Sequence, residues 1–398
     1  MPSQTAGRSH LWIILFLGIL NALTPFTIDL YLPAFADIAA DLNTVVARVS
    51  LSVATYFVGF ALGQIIYGPL LDRFGRKPPI YFGLALYILA TLGCMTATTV
   101  EALLIFRFLS ALGGSASSVG AITMVRDYFE PKEGARVFSM LMLVLSVSPL
   151  FAPTIGAWIA LYFGWRAIFA VLAVMAAVNF FIVAFGLPKV YKPDTTLSLK
   201  LMPVLRGFRE VFRNRMFRTY TIAGALSFSG LFVYLAASPS IYIDGFGLSK
   251  QGYGFVFALL AVGMIGGGQI NNLLMKKFES TLIFRRAVLV QIITSVAFLA
   301  ALLAFDLGII ATTTFLFVLL SCSGIAYPNA ASIALGPFSK NAGSASALLG
   351  FLQMGLGATL ASLVGVMDLK GALPTAIVIS FSSILALFVL SRRDKTIA

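Results

Sequence analysis

The sequence predicts an all-α membrane protein, with twelve transmembrane helices arranged as two pseudo-symmetric six-helix bundles. Three observations predict it: an apolar surplus along the whole chain, twelve apolar runs of spanning length, and basic residues gathered in alternate connections. Of 398 residues, 59% are hydrophobic and 11% charged, against roughly 45–50% and 25% in soluble domains. Mean hydropathy is +0.96. The surplus extends from Leu11 to Leu390, which excludes a single anchor on a soluble enzyme.

A helix rises about 1.5 Å per residue, so a ~30 Å hydrocarbon core takes roughly 20 apolar residues. Runs of that kind cover 11–35, 49–70, 80–97, 100–125, 137–160 and 167–187 in the first half. The second half holds 219–241, 253–274, 287–305, 308–334, 345–366 and 373–390. The first run follows Arg8 and outlasts a secretory signal core of about 7–15 residues, so it is expected to remain as a span.

Charge gives the direction. With the N-terminus inside, the cytoplasmic connections hold Arg8, Arg73, Arg76, Lys77, Arg126, Lys132, Arg136 and the dense run from Lys189 to Arg218. Lys276, Lys277, Arg285, Arg286, Lys340, Arg392, Arg393 and Lys395 fall on the same side, while only Arg48, Arg166, Lys250 and Lys370 fall outside. Such a bias orients membrane proteins, and a missed span would invert every later loop. Both termini are therefore expected in the cytoplasm, and the net charge of +13 reads as membrane orientation, not nucleic-acid binding. Cys94 and Cys322 lie in apolar runs and the one histidine, His10, is near the start, so no metal or disulfide frame is expected.

The connection 188–218 divides the chain into an N-terminal bundle, 1–187, and a C-terminal bundle, 219–398. Within it Leu201, Val204, Leu205, Phe208, Val211 and Phe212 recur at helical spacing with Arg206, Arg209 and Arg213 between them. That pattern predicts a basic amphipathic helix suited to an anionic leaflet. Six spans, a basic middle loop and six more suggest two bundles rocking about a central site.

Between spans 2 and 3 stands Gly68-Pro-Leu-Leu-Asp72-Arg73-Phe-Gly75-Arg76-Lys77, one acid among three bases in a two-glycine turn. It resembles the loop of the major facilitator superfamily, and Lys276-Lys277-Phe278 resembles a degenerate copy in the second half. Further motifs are Thr27-Ile-Asp29-Leu-Tyr31-Leu-Pro33, Arg107 to Gly113, Val125-Arg126-Asp127, and Pro149 with Pro153 and Gly156. Ala236-Ala-Ser-Pro239, Pro328-Asn329-Ala330 and Gly343 to Gln353 follow in the second half. Together they are similar to the Bcr/CflA branch of drug:proton antiporters. Ser110, Ala152 and Asn21 depart from residues usual in those motifs. The resemblance implies a multi-pass protein of the bacterial inner membrane that exports drug-like molecules in exchange for protons. It implies a gating role for the 68–77 loop with Arg126 and Asp127, and an antiport role for the span 5 kink at Pro149, Pro153 and Gly156.

Asp29 is the acid placed well inside an expected span. A charged Asp at helix centre costs about 2.5–3.5 kcal/mol on insertion scales, so such residues usually face a cavity and carry function. Counting from Phe35, Asp29 lies about 9 Å below the outer face, and Arg107 lies about 10 Å inward from Val100. The two are expected to meet, with Arg107 holding Asp29 ionised until substrate or movement releases it to take a proton. The alternatives are that Asp29 simply ends a helix before Pro33 and that Arg107 bonds a broken helix.

Gly59 and Gly63, Gly263 and Gly267, and Gly343, Ala347 and Gly350 are expected to let helices approach closely. In the resembled fold, Tyr31, Tyr56, Phe57, Phe228, Tyr234, Tyr327, Phe351, Gln353 and Met354 occupy cavity-lining spans. Such a pocket suits apolar or cationic drugs. Gly266-Gly267-Gly268 lacks a following Lys-Ser/Thr, so drive by nucleotide is not expected. No nucleophile, base or metal cluster stands at catalytic spacing, which argues against an enzyme. The expectation is a monomeric transporter with no cofactor, energised by the proton gradient, with lipid and small molecules as partners. A proton-coupled transporter of one metabolite shares every motif loop and is the alternative.

Overall fold

The computed structural model describes residues 4–129, 131–186, 201–338, 342–367 and 371–394. Lys189 and the linker to Lys200, Lys340, Lys370 and Lys395 lie outside those residues. So do the side chains of Arg8, His10, Arg126, Lys132, Arg136, Arg392 and Arg393, and the surroundings of Gly343.

The described residues are helical almost throughout: α1 (Gln4–Asp29), α2 (Phe35–Asp41), α3 (Val46–Phe74), α4 (Lys77–Thr96), α5 (Val100–Tyr128), α6 (Pro131–Phe163) and α7 (Trp165–Phe181). After the linker come α8 (Leu201–Arg213), α9 (Arg215–Pro239), α10 (Lys250–Leu274), α11 (Ser280–Ala304), α12 (Ile309–Leu335), α13 (Ala342–Val366) and α14 (Leu373–Asp394). Among the described residues, 11 helices are long and apolar enough to cross a membrane, and Val147–Phe163 of α6 adds a shorter apolar one. This is a multi-pass membrane architecture of twelve spans. Side chains such as Phe82 (69% exposed) and Phe255 (72% exposed) point outward from it, as lipid-facing residues must.

The first span departs from the expected continuous run. α1 stops at Asp29, a 3-10 turn covers Leu32–Ala34, and the chain resumes as α2. Pro33 has no backbone N–H and cannot continue the hydrogen-bond ladder, which accounts for a break here. The chain stays helical to Asp41 rather than ending near Phe35.

Helices α1–α7 pack among themselves, α3 and α4 on α5, α4 on α7 and α1 on α6. Helices α9–α14 do the same, α10 and α11 on α12, α9 on α12 and α14. Small residues set two matching crossings. A Cβ on Gly59 would stand 2.3 Å from the Phe108 carbonyl oxygen, and one on Gly267 2.2 Å from that of Ser321. Backbones that close exclude any side chain larger than hydrogen. The two sets of helices meet along α3 with α13 and α6 with α10. At the first seam Gly350 gives way to Gln64, and at the second Gly254 gives way to Thr154, whose Oγ1 lies 2.8 Å from where its Cβ would be.

The molecule has two ends. At one, Arg166 bonds Asp41 at 2.6 Å and the Met95 carbonyl at 3.0 Å. Arg48 pairs with Glu101 there at 2.7 Å. At the other lies the turn Gly75–Lys77. We call these the Asp41 end and the Arg76 end.

Candidate functional site

Buried charge is the rarest commodity in this fold, and among the described residues it occurs in two places. The first is the helix break. Asp29, 3% exposed, terminates α1, and Arg107 on α5 is 1% exposed. The expected ion pair is absent. Among the described residues neither side chain forms one, and Nε and Nη2 of Arg107 have no hydrogen-bond partner. The guanidinium instead lies between two aromatic rings, 4.2 Å from the Tyr31 centroid and 4.4 Å from that of Tyr56. Ring faces attract a cation, and desolvation raises that attraction to about 2 kcal/mol or more.

The reason is the direction in which the chain faces. Thr27 bonds Tyr87 on the first-half side, and Asp29, two residues further along α1, is turned about 160° from it. Tyr31, just beyond the end of α1, takes the place beside Arg107.

The surroundings of Asp29 come from both halves. On its own side Thr27 donates to the Leu23 carbonyl at 2.6 Å and shares a 2.6 Å bond with Tyr87 Oη. Tyr31 Oη and Ser52 Oγ are 2.9 Å apart. From the second half, Tyr234 on α9 and Tyr253 on α10 are within reach of the Asp29 charge. Tyr253 Oη bonds Ser238 Oγ at 2.9 Å, while Tyr234 Oη is buried without a partner. The turn after Asp29 touches both α9 and α10. Tyr253 and Ser238 escaped the sequence reading, although Ser238 lies in the noted Ala236–Pro239 motif; nothing in a lone tyrosine near a span start signals its facing helix.

Helix α6 closes the site. It runs helical through Pro149 and Pro153, and Gly156 lies directly under the turn. A Cβ there would stand 1.8 Å from the Leu30 carbonyl oxygen. Two residues earlier, Thr154 meets Gly254 of the other half. The proline-glycine stretch of α6 thus bears on the residue after Asp29 with one face and on α10 with another. Beside it, α2 is tied across the seam by an ion pair between Asp37 and Lys250. The sequence reading missed that pair because Asp37 fell past the expected span end and Lys250 read as a loop charge.

The second place is Arg76, 9% exposed. Gly75 has φ +83°, a left-handed conformation suited to glycine, and it turns the chain so that Arg76 points inward. The guanidinium donates to both carboxylate oxygens of Asp127, Nε at 2.6 Å and Nη2 at 3.1 Å, and through Nη1 to Asp72 at 2.7 Å. Lys77 Nζ donates to the Ala184 carbonyl at 3.2 Å. Arg73 lies 5.8 Å from the Phe74 ring, and nothing within 4 Å faces a Cβ on Gly68. The turn pins the ends of α3, α4, α5 and the segment after α7 together. Lys276 and Lys277, at the matching place, are exposed.

The aromatic residues expected in a cavity divide in two. Tyr31, Tyr56 and Tyr234 are fully buried around Asp29 and Arg107. Phe57 meets Phe232 across the seam edge-on at 4.5 Å, and Phe228 continues the row to Tyr327 at 4.5 Å. Tyr327 Oη donates to Gln353 Oε1 at 2.6 Å. Tyr327 and Gln353 line a narrow crevice with Tyr220, Thr221 and Gly224. Phe351 and Met354 are partly buried against the same core.

Comparison with known proteins agrees with this fold. The model of the Major Facilitator Superfamily matches residues 17–362. The chain is 31% identical to a bicyclomycin resistance protein homolog of Haemophilus influenzae, covering 97% of this chain and 98% of that one. It is 31% identical to the multidrug resistance protein MdtL of Escherichia fergusonii over 86% of each. Among solved structures, a D-xylose-proton symporter superposes with a TM-score of 0.75 at 16% identity, over 95% of this chain and 97% of that one. A bacterial homolog of the lysosomal transporter Spinster, inward-facing and occupied, gives 0.71 at 16% identity, over 96% and 94%.

Proposed function

The chain belongs to the Major Facilitator Superfamily, and we propose that it exports drug-like small molecules across a bacterial inner membrane in exchange for protons. Relatives named for bicyclomycin and multidrug resistance support export. The charge sorting of the loops supports both termini being cytoplasmic, with the Arg76 end inside. A dedicated metabolite transporter has less support from those names.

One observation carries the mechanism: a buried carboxyl with no cation partner stands where a broken helix meets the opposite bundle. An unpaired charge there is costly, whereas the protonated acid is neutral. Taking a proton from the Asp41 end removes that cost and lets the turn remain packed against α9, α10 and Gly156. Losing it to the Arg76 side, when the bundles have tilted, restores the charge and favours reopening. Arg107, caged by Tyr31 and Tyr56 with two nitrogens unpartnered, discourages any other cation from settling beside Asp29. It is also free to pair with the carboxylate if rocking turns the two to face each other. Inward movement of one charge through 100 mV is worth about 2.3 kcal/mol, which sustains a substrate gradient of roughly forty-fold.

Substrate meets the aromatic row along the seam, Phe57, Phe228 and Tyr327, with Gln353 as a polar anchor; apolar or cationic drugs suit such a lining. The protein works as a monomer with no cofactor. The Arg76 cluster holds the helix ends of the first bundle as one body and parts from the second when the bundles rock.

The test is drug susceptibility of an efflux-deficient host expressing the wild type or Asp29→Asn. Wild type is expected to raise resistance to several unrelated drugs, and the variant to give none while still reaching the membrane. Resistance unchanged by the Asp29→Asn substitution would remove the carboxyl from the coupling role.

A further inference from the structure

We propose that α8 lays a row of arginines on anionic phospholipid headgroups at the Arg76 end, a lipid site separate from the transport path. Helix α8 packs on α9 and α13. Its Val211 is fully buried and its Phe208 packs against the core. At 100° per residue, Arg206, Arg209 and Arg213 share an arc of about 60° nearly opposite those two. All three are exposed. The helix therefore keeps one face for the protein and turns a cationic face away from it.

Position supplies the partner. Gly207 approaches Ser344 Oγ at the start of α13, whereas Gly365 near the other end of α13 meets Ala47 and Leu51 at the start of α3. That fixes α8 at the Arg76 end. Only Asn214 separates α8 from α9, and Asn214 caps α9 by accepting from the Phe217 N–H at 3.0 Å. The apolar span begins just after Arg218. The arginine row is thus held within a few residues of the membrane boundary, where headgroup phosphates lie. Five arginines face one acid, Glu210, between 206 and 218. Arginine matches phosphate through bidentate hydrogen bonds, and Phe212, partly exposed between the two faces, is placed to meet the acyl boundary.

Each arginine near an anionic surface is worth about five-fold in affinity. The experiment titrates the detergent-solubilised full-length protein with dioctanoyl phosphatidylglycerol, dioctanoyl phosphatidylcholine or inorganic phosphate and follows the thermal unfolding midpoint. Phosphatidylglycerol is expected to stabilise saturably, beyond phosphatidylcholine, and to lose that advantage at about 1 M salt, where screening acts within ~3 Å. In the triple variant R206Q/R209Q/R213Q the half-saturating concentration is expected to rise on the order of ten-fold or more. Glu210→Gln is expected to lower it. A triple variant that titrates like wild type, or equal stabilisation by both lipids, overturns the proposal. Stabilisation by inorganic phosphate equal to that by phosphatidylglycerol overturns the lipid assignment in favour of a free-anion site.

Discussion

The two halves of the molecule share their packing but not their electrostatics. Gly59 and Gly63 seat α3 on α5 as Gly263 and Gly267 seat α10 on α12. Yet among the described residues every buried charge, Asp29, Arg76 and Arg107, belongs to the first half. The second half buries neutral groups instead. Gln291 bonds Ser227 Oγ at 2.7 Å and Ser323 Oγ at 3.1 Å, and Asn329 donates to Asn271 at 2.6 Å. A neutral network holds helices together with no protonation state to change. The lesson is that symmetry of fold need not carry symmetry of charge: under the proposed mechanism the first half changes charge and the second is what it pushes against.

That contrast can be broken most severely at α6. Gly156→Val is expected to abolish efflux, because the new Cβ overlaps the Leu30 carbonyl oxygen, while Gly266→Val, which meets nothing within 4 Å, should leave dye efflux near wild type. Equal effects would mean that the approach at Leu30 has no special role. The next test sets Arg107→Gln against Gln291→Leu. The first is expected to uncouple drug efflux from the pH gradient at unchanged expression. The second should lower the unfolding midpoint, through hydrogen bonds worth about 1–2 kcal/mol in all, with coupling retained. Arg76→Gln leaves Asp127 without its fork and should cut efflux about ten-fold, whereas Lys277→Gln should change it less than two-fold. The smallest effect is expected from Lys250→Met, which frees α2 from α10. An ion pair this close to the surface contributes about 0–1 kcal/mol, so its loss should speed opening at the Asp41 end, read as faster labelling of a cysteine placed at Ala36 beside an intact Asp37, without preventing transport.

Much of this was legible in the chain. Apolar runs gave the spans because lipid imposes both their length and their composition, and the helical spacing from Leu201 gave α8. Glycine pairs marked close crossings, since few other residues permit them. The helix break was only half legible: Pro33 signalled an interruption, but Asp37 and Asp41 made the stretch after Phe35 read as a connection and hid the resumption as α2. The pairing of Asp29 with Arg107 was expected from depth alone, whereas the rotation of α1 decides which side chain faces α5. The aromatic cage of Arg107 was not legible, because Tyr31 and Tyr56 come from other spans and their rotation depends on packing. Contacts across the seam, Asp37 with Lys250 and Gly156 with Leu30, depend on how whole bundles dock, and local pattern holds no record of that.

Cys94 and Cys322 are both buried and unpaired, one in each half. A maleimide or nitroxide reagent in water will therefore find few native sulfurs to attack. Thiols introduced one per bundle can be tagged selectively in the otherwise natural chain, and the distance between two such probes then becomes a ruler for the rocking motion.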